Sequence, residues 1–542
     1  MNQLAPASTA QSHQALRPAS QVMKLARMGQ GFPHKLSFSR QIIRRIIGDD
    51  CQVTRPVWQM CDQGYGTAVY TLTLGGHRYS LVAISSPLDD ALRSDRVIAE
   101  QWDACFTLFD GEPTAEDLDR LVQNQPRQEA GRYSARELTL SRANKSVRLF
   151  NHVRDCLAQG EQPDGQELNS VGYLMRTTAV YGNGKFGIAD RFEYQERAGM
   201  NAPFQAEMLT VWLIREFTHD LVEHCAKALN PQAATLDPAL KQHLGVGNAT
   251  GLGMAPFLVH HPELLHNWVQ ARETALALAL AEDKALAPGL VSRMAAHLGQ
   301  WNVADTQGQQ AIETTRNELA QFGADTAQAA WAWADDKSVM TQELVAALVI
   351  ENSDQDFTDL CDQMSHASRP QAVSLTDSTV DWLTNLLDQH FAWAFESPCQ
   401  NHWFWYVSEN KLEPRVGNRL TEVGAALERP LGVQRDLQAL REELQGAASE
   451  LSLADFLAQH PQRIGLVQRV LATHQLAYAE IQENLLGQQM RPIDMLRFKL
   501  SFFGAAKFDP KSDLWTRITL FQGAPTRHDL GAPGDDWWLA AV

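Results

Sequence analysis

The stretch Ala68-Val-Tyr-Thr-Leu-Thr-Leu74, Gly75-Gly76, His77-Arg-Tyr-Ser-Leu-Val-Ala-Ile84 reads as two strands joined by the shortest hairpin loop. Val, Tyr, Thr, Leu and Ile fill both runs. Only two residues separate them, and both are glycine, which reaches the positive φ of a type I′ turn at little steric cost. A third strand near residues 52–60 would complete a small antiparallel sheet. No alternation of strands with crossover helices follows, so no large parallel sheet is expected.

Outward from that hairpin the chain becomes helical. Residues 36–47 read as a first helix, with Ser39 in a capping position and Ile42, Ile43, Ile46 and Ile47 on one stripe. Helical spacing dominates from about residue 134, over 141–157, 166–180, 205–229, 262–285, 312–333, 376–395, 435–459 and 463–486. The expected fold is mainly α, helical and multi-lobed, with a small N-terminal antiparallel β-sheet or hairpin. It divides into a flexible basic arm (1–30), a small α+β domain (31–133), a helical domain (134–375) and a helical C-terminal region ending in an irregular tail (376–542).

Composition narrows the partners. A net charge of -17 disfavours a general nucleic-acid binder, which needs a basic surface to displace phosphate counterions. Seven cysteines at 51, 61, 105, 156, 225, 361 and 399 contain no CxxC, the pattern of reduced thiols and of a cytoplasmic chain. No apolar run has the length of a membrane span. Residues 1–48 hold seven Lys/Arg and no acid. That asymmetry is expected to fold back on the acidic body; a transit peptide in residues 1–30 is the minor alternative.

Two glycine-rich segments, 181–187 and 245–253, fail the nucleotide patterns at named positions. A P-loop needs Gly where Ala179 stands and Ser/Thr where Phe186 stands. A dinucleotide fingerprint needs Gly where Thr250 stands. There is no GxSxG and no HExxH. Glu216/His219 and Glu263/His266 have the Glu-x-x-His spacing of carboxylate metal sites. The stripe Val211, Ile214, Phe217, Leu221, Cys225 puts Glu216 and His219 on the opposite side, expected to face water, so a carboxylate/His metalloenzyme is only the minor alternative.

What remains is an anion site. Gly247, Asn248, Thr250 and Gly251 offer main-chain and short side-chain donors; Gly182, Asn183 and Gly184 do the same beside Arg176, Lys185 and Arg191. Guanidinium and ammonium groups suit a carboxylate or phosphate. His260, His261 or Asp190 would be the acid/base. The expected function is an enzyme or binding protein for a small anionic metabolite, its cofactor unspecified. The alternative is a non-catalytic helical scaffold docking a protein partner. Aromatic residues 402–407 ahead of a charged loop are a further possible pocket wall.

Overall fold

The computed structural model describes residues 15–24, 27, 32–89, 101–124, 134–181, 196–248, 262–292, 294, 306–365, 373–396, 433–474, 478, 481, 501–504, 507–512, 515–531 and 537. Among the described residues, nine strands form one mixed sheet in the order β1-β2-β3-β4-β5-β6-β7-β9-β8. They are β1 Thr54–Met60, β2 Gly66–Leu74, β3 His77–Ser85, β4 Ala104–Asp110, β5 Glu137–Lys145, β6 Tyr173–Tyr181, β7 Gly245–Asn248, β8 Lys507–Ser512 and β9 Trp515–Leu520. The glycine hairpin forms as expected: Leu74 pairs with His77, and Gly75 and Gly76 take φ of 59° and 77°.

The expectation of a mainly helical chain with a small N-terminal sheet is overturned. The first six strands run as an antiparallel meander, β7 adds parallel to β6, and β9 and β8 close the far side antiparallel. Burial explains why the inner strands escaped notice. β4, Ala-Cys-Phe-Thr-Leu-Phe-Asp, is buried at all but its last residue, so it shows no polar/apolar alternation. Residues 166–180, expected as one helix, are a short helix and then a strand. Gly172 takes φ 79° and ends the helix by donating its N–H to the Leu168 carbonyl, and β6 starts one residue later. A glycine after the last helical turn was the available signal.

Eleven of the helices matter here: α1 Phe38–Gly48, α2 Ala115–Asn124, α3 Phe150–Ala158, α4 Gly165–Val171, α5 Gln205–Leu229, α6 Pro238–His243, α7 Pro262–Ala281, α8 Thr306–Phe322, α9 Ala327–Ala334, α10 Val339–Asn352 and α11 Thr358–Ser365. Helix α5 lies across one face of the sheet and touches β2 through β7. Its Thr210 hydroxyl meets that of Thr139 on β5 at 2.7 Å, and Phe217 packs edge-on to Tyr70 and Phe106. Helix α2 covers part of the opposite face, where Leu121 joins Val69, Val82, Ile84 and Phe109. Helices α7 to α11 pack as a separate layer within the same continuous apolar core.

The basic N-terminal segment is tied to that layer by its charges. Arg17 pairs with Glu273 and Glu343, Arg27 with Glu343, and Arg40 with Glu351. Lys35 donates to the Ser353 carbonyl at 2.8 Å. These ion pairs are out of water, where removing one partner costs about 3–5 kcal/mol because it strands the other.

Candidate functional site

The parallel pair β6–β7 sets Arg176 and Thr177 beside the start of the second glycine-rich segment. Arg176 stands in register with Gly247, and Thr177 with Asn248. Continuing the row, Asn144 on β5 lies beside Arg176, and Thr519 on β9 beside Gly247. Arg176, Asn144, Asn248 and Thr519 are all buried. Asn248 donates its side-chain N–H to the Thr177 hydroxyl, which donates to the Gly247 carbonyl, both at 3.3 Å. Because the strands are parallel, both end at the same edge of the sheet. The carboxyl ends of adjacent parallel strands are where open sheets with helical crossovers hold ligands.

Gly245 and Gly247 belong to a strand, and neither has positive φ. Their need for hydrogen at Cα is a matter of close approach. A Cβ on Gly245 would lie 2.4 Å from the Leu520 carbonyl oxygen, and one on Gly247 would lie 2.7 Å from the Tyr173 ring. Gly247→Ala is therefore expected to cost about 1–3 kcal/mol by overpacking. Thermal melts should show the loss shrinking in a Tyr173→Leu background; an equal loss in both backgrounds would remove the ring as its cause.

Of the other residues chosen from sequence, Gly182, Asn183, Gly184, Lys185, Asp190, Arg191, Thr250, Gly251, His260 and His261 lie outside the described residues, as do residues 402–415.

Sequence reasoning missed a second polar cluster, on α5. Glu216 and His219, expected to face water, are buried. The signal was present: Leu209, Val211, Trp212, Leu213, Ile214 and Phe217 spread apolar groups around most of the helix, which marks it as enclosed. Asp220 accepts from the Tyr70 hydroxyl at 2.6 Å, from Arg55 at 2.7 Å, and from both Nη atoms of Arg527 at 2.7 and 2.8 Å. Burial works to raise its pKa, but the Arg527 fork and the Tyr70 and Arg55 contacts hold it below the ordinary range. Burial raises Glu216 to about 7, against the pull of Arg215. His219 is kept neutral by burial and by Arg215, Lys241 and Arg527 around it.

These groups grip residues 524–529. Glu216 accepts the Arg527 main-chain N–H at 3.2 Å. Arg215 donates to the carbonyls of Leu244, Lys241, Gln242, Ala524 and Pro525, and Trp212 also donates to Pro525. The cluster is a clamp joining α5, the end of α6 just before β7 and the segment after β9.

Cys156 on α3 comes within 3.6 Å of His152 Nε2, which Glu167 contacts at 2.6 Å. Burial and the carboxylates Glu161, Glu167 and Asp155 raise this thiol, the opposite of what an activated nucleophile needs. Among the described residues no group of three or more His, Cys, Asp or Glu is arranged to hold a metal ion. None of their helices is long and apolar enough to cross a membrane.

Comparison with known proteins adds no relative. No family model, curated protein or solved structure matches this chain.

Proposed function

We propose that this protein is a cytosolic enzyme or binding protein for a small anionic metabolite, held at the sheet edge where β6 and β7 end. One observation supports it most: Arg176, which precedes the first glycine-rich segment, and Gly247, within the second, are in-register neighbours on parallel strands. A guanidinium beside main-chain donors is a combination that recognises carboxylate or phosphate. Gly182, Asn183, Gly184, Lys185 and Arg191 follow β6 in the chain, and Thr250 and Gly251 follow β7. They would complete the anion contacts. His260, His261 or Asp190 would supply proton transfer if the ligand is a substrate. The acidic net charge of -17 supports a small ligand over nucleic acid.

A melting-temperature screen against inorganic phosphate, simple phosphomonoesters and di- and tricarboxylates tests this reading. A ligand at a hundred times its Kd adds about 2.7 kcal/mol and raises the melt by about 2 °C. Arg176→Gln should abolish the shift, whereas Arg78→Gln, an exposed residue on β3 paired with Glu112, should leave it intact. If no anion stabilises the protein, or if the shift survives Arg176→Gln, the site is elsewhere. If Arg176→Gln unfolds the chain, Arg176 is structural.

A further inference from the structure

We propose that the buried carboxylates Glu273 on α7 and Glu343 on α10 form a guanidinium receptor, that Arg17 fills it as an internal ligand, and that a guanidinium from solution can take the same place. The donor set is complete around one planar cation. Arg17 Nε and Nη2 each reach Glu273 at 2.6 Å, one to each carboxylate oxygen. Its Nη1 reaches Glu343 at 2.7 Å, with Nη2 at 3.4 Å from the other oxygen. Two carboxylates meeting the two edges of one fork is a geometry that an ammonium cannot reproduce. Trp331 on α9 closes the third side, its ring centre 5.4 Å from the guanidinium carbon.

The occupant and the walls come from different parts of the chain. Arg17 lies 256 residues from Glu273 and 326 from Glu343. Its neighbours Leu16 and Pro18 are exposed, so the side chain reaches inward from a strand of backbone on the surface. Helices α7 and α10 themselves bring two carboxylates and one guanidinium, Arg272, which contacts Glu273 at 3.1 Å and Glu343 at 3.5 Å. The remaining positive charge is delivered by the N-terminal segment through Arg17 and Arg27. Glu273 Oε2 accepts from Arg17 Nε in a fully buried position, so deleting the Arg17 side chain opens a guanidinium-shaped vacancy against a stranded oxygen.

Chemical rescue tests the proposal in the full chain. Arg17→Ala should melt roughly 3–4 °C below the parent protein. Millimolar methylguanidinium should return most of that drop and saturate, while sodium chloride at equal ionic strength should not. The parent protein, its receptor filled, should gain nothing. Arg17→Ala/Glu273→Gln, with the fork partner neutralised, should fold and ignore methylguanidinium. The proposal is overturned if Arg17→Ala shows no drop, if methylguanidinium rescues the double variant equally, or if Arg17→Ala stays unrescued or insoluble when prepared in its presence.

Discussion

Arg215→Met should unfold this protein or lower its melting temperature by about 3 °C or more. Replacing a buried charge by an apolar residue is tolerated when its partners are replaced too. Here the partners are five main-chain carbonyls, those of Leu244, Lys241, Gln242, Ala524 and Pro525, which no side-chain substitution removes. Pro525 keeps the Trp212 N–H and Gln242 keeps the Gly523 N–H, but the other three carbonyls lose a donor at on the order of 1–3 kcal/mol each, a loss of about 3 kcal/mol or more. Burial already holds the Arg215 pKa down at about 10, a measure of how far the guanidinium is from water. Hydrogen exchange gives the local readout: residues 521–530 should lose protection before the hairpin β2–β3 does. A variant that melts like the parent, with these amides still protected, would show that the clamp contributes little.

Glu216→Gln should make the protein more stable at pH 8 and change how its stability depends on pH. Glu216 titrates near 7 when folded and near 4.5 when unfolded. Between those values the folded state carries a proton that the unfolded state has released, so stability falls as pH rises from about 4.5 through 7. Above 7 the deficit is constant at roughly 3 kcal/mol. The charged groups around it are Arg215, Arg527 and Asp220. His219 acts in the other direction: its folded pKa lies well below 6.5, so it costs stability as pH falls below that value. The difference between the parent and Glu216→Gln isolates the carboxyl. Urea titrations at pH 5 and pH 8 should show that difference growing by up to about 3 kcal/mol in favour of Gln at the higher pH. A difference that does not vary with pH would mean that Glu216 ionises normally in the fold.

Both predictions concern residues whose importance was hidden in the sequence, although the helix that carries them was not. Residues 205–229 were readable as a helix with the bounds the structure shows, because Leu, Val, Trp, Ile and Phe recur without a breaker. What could not be read from one stripe was that nearly every other direction of α5 is covered as well, by the sheet, by α3 and by residues 524–529. The candidate site was legible in a different way. Arg176 and Gly247 were chosen as chemistry-bearing residues, but their meeting depends on β6 and β7, and those strands carry little local signal. Tyr173–Tyr181 follows a helix with only Gly172 between them, and Gly245–Asn248 is four residues long.

The sequence by itself determined the elements whose cause is local, the β2–β3 hairpin through Gly75-Gly76 and α5 through its unbroken apolar spacing, together with the acidic character of the chain. Tertiary structure alone decided which strands share a sheet, which charges lie inside, and why Gly247 is glycine. Pairing partners such as β7 and β9 are more than 260 residues apart, and their stability comes from main-chain hydrogen bonds whose pattern is the same for any residue type. Buried pairs such as Arg17–Glu273 obey the same limit. A charge shows its type in the sequence, but its partner and its distance from water exist only once the chain has folded.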